Sequence, residues 1–164
     1  MAVTLTPMTI NDYEKFYQMS LDSQVSDLMK GGSSREEALR DTEAELSEML
    51  PDGKDTRDNL LMMIRKEDDL TAVGYIWTLH EFTDGIRQSF LCDLMVYEDH
   101  RRRGYAKEAL ELMARNAHAL GCMESVLYVD KDNVNAVELY GKCGYKAFRD
   151  EGDGMYMKKV LTEG

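Results

Sequence analysis

Apolar residues recur every second position in some stretches of the chain and every third or fourth in others, which separates predicted strands from predicted helices. Strands are predicted over residues 3–8, 60–64 and 72–82, in a run ending at Val96, and over 125–129, 144–148 and 155–160. Helices are predicted over residues 10–29, 34–50, a stripe from Ala109 to Leu120, and 133–142. The predicted order is therefore βααβββαβαββ, and we expect residues 1–164 to form one domain.

This order favours an α/β fold with a mixed sheet. Strand–helix–strand units in the second half of the chain imply parallel neighbours, while the turns at residues 67–69 and 83–85 imply antiparallel hairpins. A central mixed sheet with helices on both faces accommodates both kinds of pairing.

Composition limits the classes of partner. Among 164 residues the formal net charge is −11, which should repel nucleic acid and acidic membranes and favour cationic partners, although solubility alone also explains an acidic surface. No signal peptide is expected, because Asp12, Glu14 and Lys15 stand where one would need an apolar core, and no apolar run approaches the roughly 20 residues of a membrane span. The three scattered cysteines are most simply reduced thiols (Cys92, Cys122 and Cys143). We therefore expect a cytoplasmic protein.

Three successive arginines, Arg101 to Arg103, stand where a helix is predicted to begin. The positive end of a helix dipole should repel them, so a negative group is expected there. Gly104 supplies freedom of φ and Ala106 keeps the surface low, and both features suit phosphate binding by backbone N–H groups. The alternative is an ordinary basic turn. Walker and Rossmann glycine patterns are absent.

A second segment runs from Asn133 to Tyr145 and reads N-x-x-A-x-x-L-Y-x-K-x-G-Y. It resembles a sequence motif of the GNAT superfamily of N-acyltransferases. The earlier segment Arg101-x-x-Gly104-x-Ala106 resembles the loop that binds the acyl-CoA pyrophosphate in that superfamily. Together, in this order, they identify the chain as a GNAT-type acetyltransferase. Leu50-Pro51-x-Gly53 and Thr56 are similar to a bacterial branch of that superfamily.

The resemblance implies acetyl-CoA as co-substrate and a role for each matched residue. Backbone N–H groups from Arg102 to Lys107 would bind the pyrophosphate, and the strand 94–96, splayed from 125–129, would hold the pantetheine arm and polarise the carbonyl. Asn133 would bond that arm, and Tyr140 would protonate the leaving thiolate. The implied cofactor-binding residues are Leu94, Met95, Val96, Arg101, Arg102, Arg103, Gly104, Tyr105, Ala106, Lys107, Asn133 and Tyr140.

The general base is left open by the sequence. Ribosomal-protein alanine acetyltransferases carry a Glu five residues before the Asn, where this chain has Tyr128. Glu81 and Asp93 are the candidates, each acting through water, and Asp93 is equally suited to a structural hydrogen bond. No metal is expected, because the histidines lie far apart and no His, Cys, Asp or Glu residues have metal-ligand spacing.

The expected function is transfer of an acetyl group to a primary amine of a small molecule or peptide. The acceptor amine is expected to be cationic because the surface of the protein is acidic, but the sequence does not identify it. The sequence also leaves open whether the protein is a monomer or a homodimer. A non-catalytic acyl-CoA-binding regulatory module is the alternative, and a structural protein without cofactor is a third possibility. The intact loop together with Asn133 and Tyr140 argues against both.

Overall fold

The computed structural model describes residues 2–162, and its elements follow the predicted order. The strands are β1 (Val3–Pro7), β2 (Asn59–Lys66), β3 (Ala72–Thr83), β4 (Ile86–Val96), β5 (Glu124–Asp130), β6 (Lys146–Asp150) and β7 (Gly154–Val160). The helices are α1 (Ile10–Lys30), α2 (Arg35–Met49), α3 (Tyr105–Ala119) and α4 (Val134–Lys142). Short 3-10 turns occupy Gly53–Asp55 and Glu98–His100.

The strands within residues 2–162 form one seven-stranded sheet in the order β1-β2-β3-β4-β5-β7-β6. β4 and β5 pair in parallel, whereas β1–β2, β3–β4, β5–β7 and β6–β7 pair antiparallel. The predicted mixed α/β sheet is thus confirmed. The parallel pair β4–β5 is joined through α3, as predicted. The strands joined through α4, β5 and β6, are not neighbours as predicted, because β7 lies between them.

The described chain divides into two compact units, one of residues 2–7 and 60–162 and the other of residues 8–59. In the first unit, α3 buries its apolar stripe in a core shared with the sheet. Buried stripe members are Ala109, Leu110, Met113, Ala114 and Ala117. The Glu108 carboxylate accepts a hydrogen bond of 3.1 Å from the Val3 backbone N–H, which ties β1 to the start of this helix.

The second unit consists of α1, α2 and the turn that follows them. Of the two caps that the sequence offers for α1, Thr9 and Asn11, Thr9 is the N-cap, and it forms a reciprocal capping box with Asp12. The Ser34 hydroxyl accepts a hydrogen bond from the Glu37 backbone N–H at the start of α2. Phe16 and Leu46 are each 1% exposed and belong to the apolar faces of the two helices. Across residues 2–162, no helix has both the length and the apolar character needed to cross a membrane.

Candidate active site

Pairing between β4 and β5 stops halfway along the strands. Gln88–Leu91 pair with Glu124–Leu127, and the register within the described chain continues no further. Near the point where this pairing stops, the register between β3 and β4 shifts: Thr78 is opposite Leu91, whereas Trp77 is opposite Asp93. Cys92 is therefore an extra residue in β4, and a bulge of this kind bends and twists its strand. The splay expected from the resemblance is present.

A cavity of about 260 Å³ lies at the splay. Its walls come from the second half of β4, the end of β5 and the first turns of α4. The lining residues are Leu91, Cys92, Asp93, Leu94, Tyr128, Val129, Asp130, Asn133, Ala136 and Tyr140. The fold thus brings together Asp93, Leu94, Asn133 and Tyr140, four of the residues singled out from the sequence.

Tyr140 has its phenol in a partly buried setting on α4. Burial raises the pKa of Tyr140 above 10, and the negative charge of Asp93 and the neighbouring Cys143 add to the increase. The ring packs edge-on against Tyr145 with centroids 6.0 Å apart. At neutral pH the hydroxyl therefore keeps its proton and is available as a donor.

Asn133 acts first as a helix cap. Its Oδ1 accepts a hydrogen bond of 3.3 Å from the Ala136 backbone N–H at the start of α4. The side-chain amide still has its two N–H donors for a ligand in the cavity that Asn133 lines. The capping role and the ligand role implied by the resemblance are therefore compatible.

The loop before α3 presents backbone rather than a side-chain cap. Gly104 is the N-cap residue with φ of +81°, and as a glycine it provides no side-chain cap for this helix start. A Cβ at Gly104 would meet nothing within 4 Å, so the glycine borders open space. Arg101 Nε donates a bond of 2.8 Å to the Val96 carbonyl, which anchors the loop to the end of β4. The helix start fits a negatively charged group.

The two candidate carboxylates occupy different places. Asp93 lines the cavity at the splay, and Tyr75 Oη donates a hydrogen bond of 3.1 Å to its Oδ2. Glu81 lines a separate cavity. Burial raises the pKa of Cys92 to about 12, and the charges of Asp93 and Glu81 contribute. Cys92 therefore keeps its proton at neutral pH.

That separate cavity measures about 490 Å³ and lies against β3 to β7. Six of its lining residues are Glu81, Asp84, Phe90, Glu124, Tyr156 and Lys158. Sequence reasoning did not find this cavity, because its lining comes from five strands whose order in the sheet differs from their order in the chain.

Sequence reasoning also missed Tyr75 and Cys92. Tyr75 reads as an ordinary apolar strand residue, and it is indeed 1% exposed. Only the register of the hairpin puts its hydroxyl beside Asp93, 18 positions further on. The signal for this register in the sequence was that apolar residues are spaced differently along β3 and β4. Within residues 2–162, no three His, Cys, Asp or Glu side chains come together as a metal site.

Comparison with known proteins identifies the family to which the chain belongs. The sequence profile of the Acetyltransferase (GNAT) family matches residues 25–145. The uncharacterized N-acetyltransferase YdgE of Bacillus subtilis (strain 168) is 30% identical over 146 residues, which cover 88% of this chain and 92% of YdgE.

Two solved structures share the architecture. The crystal structure of YycN from Bacillus subtilis has a TM-score of 0.81 at 26% identity and covers 98% of this chain and 99% of its own. The spermidine N-acetyltransferase of Vibrio cholerae, in complex with CoA and spermine, has a TM-score of 0.71 at 15% identity, covers 98% of this chain and 96% of its own, and shows the fold alone. The chain belongs to the GNAT family and is an N-acetyltransferase.

Proposed function

We propose that this protein transfers an acetyl group from acetyl-CoA to a primary amine by direct attack, with Tyr140 as the general acid. The observation that carries the proposal is the cavity at the splay of β4 and β5, which Tyr140, Asp93 and Asn133 line together. The uncapped start of α3 supplies a second feature suited to the same co-substrate. Arg101 links the two, since its side chain holds the loop to the end of β4.

Three parts of the chain suit the parts of acetyl-CoA. Backbone N–H groups at Arg102 to Lys107 offer donors for the pyrophosphate, with Gly104 leaving room for it. The backbone of Leu94 to Val96 extends beyond its pairing with β5 and offers ladder groups to the pantetheine arm. Asn133 offers its amide N–H groups. The Vibrio cholerae spermidine N-acetyltransferase, of the same fold, was solved with CoA.

The reaction balances with one acid and one base. The neutral amine nitrogen forms a bond to the thioester carbonyl carbon, and a backbone N–H of β4 stabilises the negative charge on the oxygen. The C–S bond then breaks, the Tyr140 hydroxyl gives its proton to the thiolate, and solvent returns one to Tyr140. The proton lost by the amine goes to a water held by Asp93, the carboxylate that lines the cavity.

Direct attack is favoured over an acyl-cysteine intermediate. Cys92 is the thiol that lines the cavity, and a nucleophilic cysteine must react as its thiolate. Burial together with Asp93 and Glu81 holds the pKa of Cys92 at about 12, so the thiolate is scarce at neutral pH. The three cysteines are free thiols, which accords with the cytoplasmic location that we also propose.

A cationic amine is the acceptor class that the charge favours. The net charge of −11 attracts cations over a distance of about 10 Å at 0.1 M salt. The Vibrio cholerae spermidine N-acetyltransferase, solved with spermine, shares the fold. We therefore place polyamines first among the acceptors to test, followed by aminoglycosides, amino acids and peptide N-termini.

A panel of these amines, read by release of free CoA thiol, tests the proposal. We expect release with at least one amine and none without amine, and the rate should fall in the Tyr140→Phe variant. Calorimetry with acetyl-CoA is the companion measurement. Binding without thiol release for any amine would favour the regulatory module, and absence of binding would contradict both functions.

A further inference from the structure

Asp93 and Glu81 share one face of the sheet but stand at different levels. Side chains alternate along β3, so Tyr75, Trp77 and Glu81 point to the same side. Trp77 is opposite Asp93, and Glu81 is opposite Gln88. The four residue steps from Trp77 to Glu81 span about 13 Å of strand. Asp93 is therefore the carboxylate at the splay, whereas Glu81 belongs to the larger cavity further along the strand.

The cavity of about 490 Å³ beside Glu81 has an uneven charge distribution. Lys158 lies 3.7 Å from Glu124, and Arg149 lies 2.8 Å from Glu151, so these charges balance in pairs. Glu81 and Asp84 also line the cavity, and no side chain within residues 2–162 forms an ion pair with either. The end of the cavity at the β3–β4 turn is thus left negative.

Phe90 supplies the complementary apolar surface of the cavity. Arg149 and Lys158 already cover Tyr156 and Phe148, at 4.3 and 4.9 Å from the ring centroids. The Phe90 side chain is suited to a hydrocarbon segment. The volume falls within the range of small-molecule sites, roughly 300 to 1,000 Å³.

A tyrosine pair joins this cavity to the one at the splay. Tyr128 lines the cavity that Tyr140 and Asp93 line, and Tyr156 lines the larger one. Their rings meet edge to face with centroids 5.2 Å apart. An extended molecule can therefore pass along this face from the reaction centre to the carboxylates at the hairpin turn.

We propose that the larger cavity is the acceptor site, and that it selects amines carrying a second positive charge, which Glu81 and Asp84 bind. This inference rests on the proposed acetyl transfer and gives its acceptor a class, extended di- or polyamines. It also gives Glu81 a role in binding the non-reacting end of the acceptor instead of in proton transfer.

Three acceptors of matched length test the assignment: an α,ω-diamine, the n-alkylamine and the ω-amino carboxylate, compared over a series of chain lengths. We expect kcat/KM to be highest for diamines long enough to reach from the reaction centre at the splay to the carboxylates of Glu81 and Asp84. It should be lowest for the amino carboxylates. Equal kcat/KM for diamine and alkylamine, or a preference for the amino carboxylate, would overturn the acceptor assignment.

Charge-neutralising variants locate the selectivity. Glu81→Gln and Asp84→Asn should each lower kcat/KM for the diamine by about fivefold, the upper range for an exposed ion pair, mainly through KM, and leave the alkylamine unaffected. Glu67→Gln, an exposed carboxylate in the β2–β3 turn, is the matched control and should change neither. An equal loss in the control, or no loss in the two variants, would contradict the role of Glu81 and Asp84.

Failure of this inference is distinguishable from failure of the proposed function. If no amine yields free CoA, the proposed transfer is wrong, and calorimetric titration of the diamine into wild-type and Glu81→Gln protein still tests the cavity. Weaker diamine binding in the variant supports the site, and identical binding overturns it.

Discussion

The hydroxyl of Tyr75 donates a hydrogen bond of 3.1 Å to Oδ2 of Asp93, across the β3–β4 hairpin. Tyr75 is 1% exposed, whereas Asp93 lines the cavity at the splay. A buried phenol thus holds one oxygen of a carboxylate whose charge also acts on Tyr140. The same bond fits the structural role for Asp93 and positions it for the role of base through water.

Tyr75→Phe separates these roles. Losing a hydrogen bond to a charged group should lower the free energy of unfolding by about 1.5 to 3 kcal/mol, measured from urea denaturation. Tyr156→Phe is the control, because its hydroxyl has no hydrogen-bond partner within residues 2–162, and its stability should match wild type. If Asp93 only supports the fold, kcat per folded molecule will be unchanged in both Tyr75→Phe and Asp93→Asn.

Tyr140→Phe removes the proposed acid but keeps the ring. We expect kcat to fall by about 10² to 10⁴, with CoA affinity and stability nearly unchanged. Because burial and Asp93 raise the pKa of Tyr140 above 10, the wild-type rate should stay level through neutral pH and decline only above pH 10. Full turnover in the variant would show that water protonates the thiolate.

Tyr145→Phe serves as the contrasting variant for Tyr140→Phe. The hydroxyls of Tyr145 and Ser125 share a buried hydrogen bond of 2.6 Å. Loss of the Tyr145 hydroxyl should therefore reduce stability while kcat per folded molecule stays near normal. The opposite pattern would move the acid to Tyr145.

The raised pKa of Tyr145 also predicts that the free energy of unfolding falls at alkaline pH. Burial raises its pKa to about 12, while the Ser125 hydrogen bond acts in the lowering direction. The folded state therefore holds this proton more tightly than the unfolded chain, whose tyrosines ionise near 10. The stabilisation is complete below pH 10 and is lost as pH rises toward 12, by roughly 2 to 3 kcal/mol. Urea midpoints between pH 9 and 12 measure it, and Tyr145→Phe should flatten the slope.

Gly104→Asn tests the phosphate loop. Valine is unsuitable because Gly104 has φ of +81°, whereas asparagine tolerates that region and adds a side chain over the helix start. We expect CoA binding to weaken about tenfold or more, as for loss of one charge-assisted hydrogen bond. Calorimetry with CoA gives the measurement.

Gly121→Asn is the matched control for that variant. Gly121 follows the other end of α3, has φ of +91° and also borders open space. Both variants should lose similar stability, and only Gly104→Asn should lose CoA affinity. Equal CoA affinity in the two proteins would contradict phosphate binding at this loop.

The sequence alone determined the element order and the two motif segments. Periodicity is local, and caps such as Thr9, Ser34 and Asn133 act within one turn of their helices, so neighbouring residues suffice to predict them. The pair of motifs was equally accessible, because each is nearly contiguous in the chain. Boundaries were less accurate: β6 begins at Lys146 and not at Gly144, whose φ of +95° belongs to the end of α4.

Only the tertiary structure decided how the candidate residues meet. The bulge at Cys92 and the end of β4–β5 pairing at Leu91 depend on the register between strands, which no single strand encodes. The register separates Glu81 from Asp93, two carboxylates that looked equivalent in the sequence, and it puts Tyr75 against one of them. A strand's own residues set which side chains share a face, whereas pairing with distant strands sets which of them share a cavity.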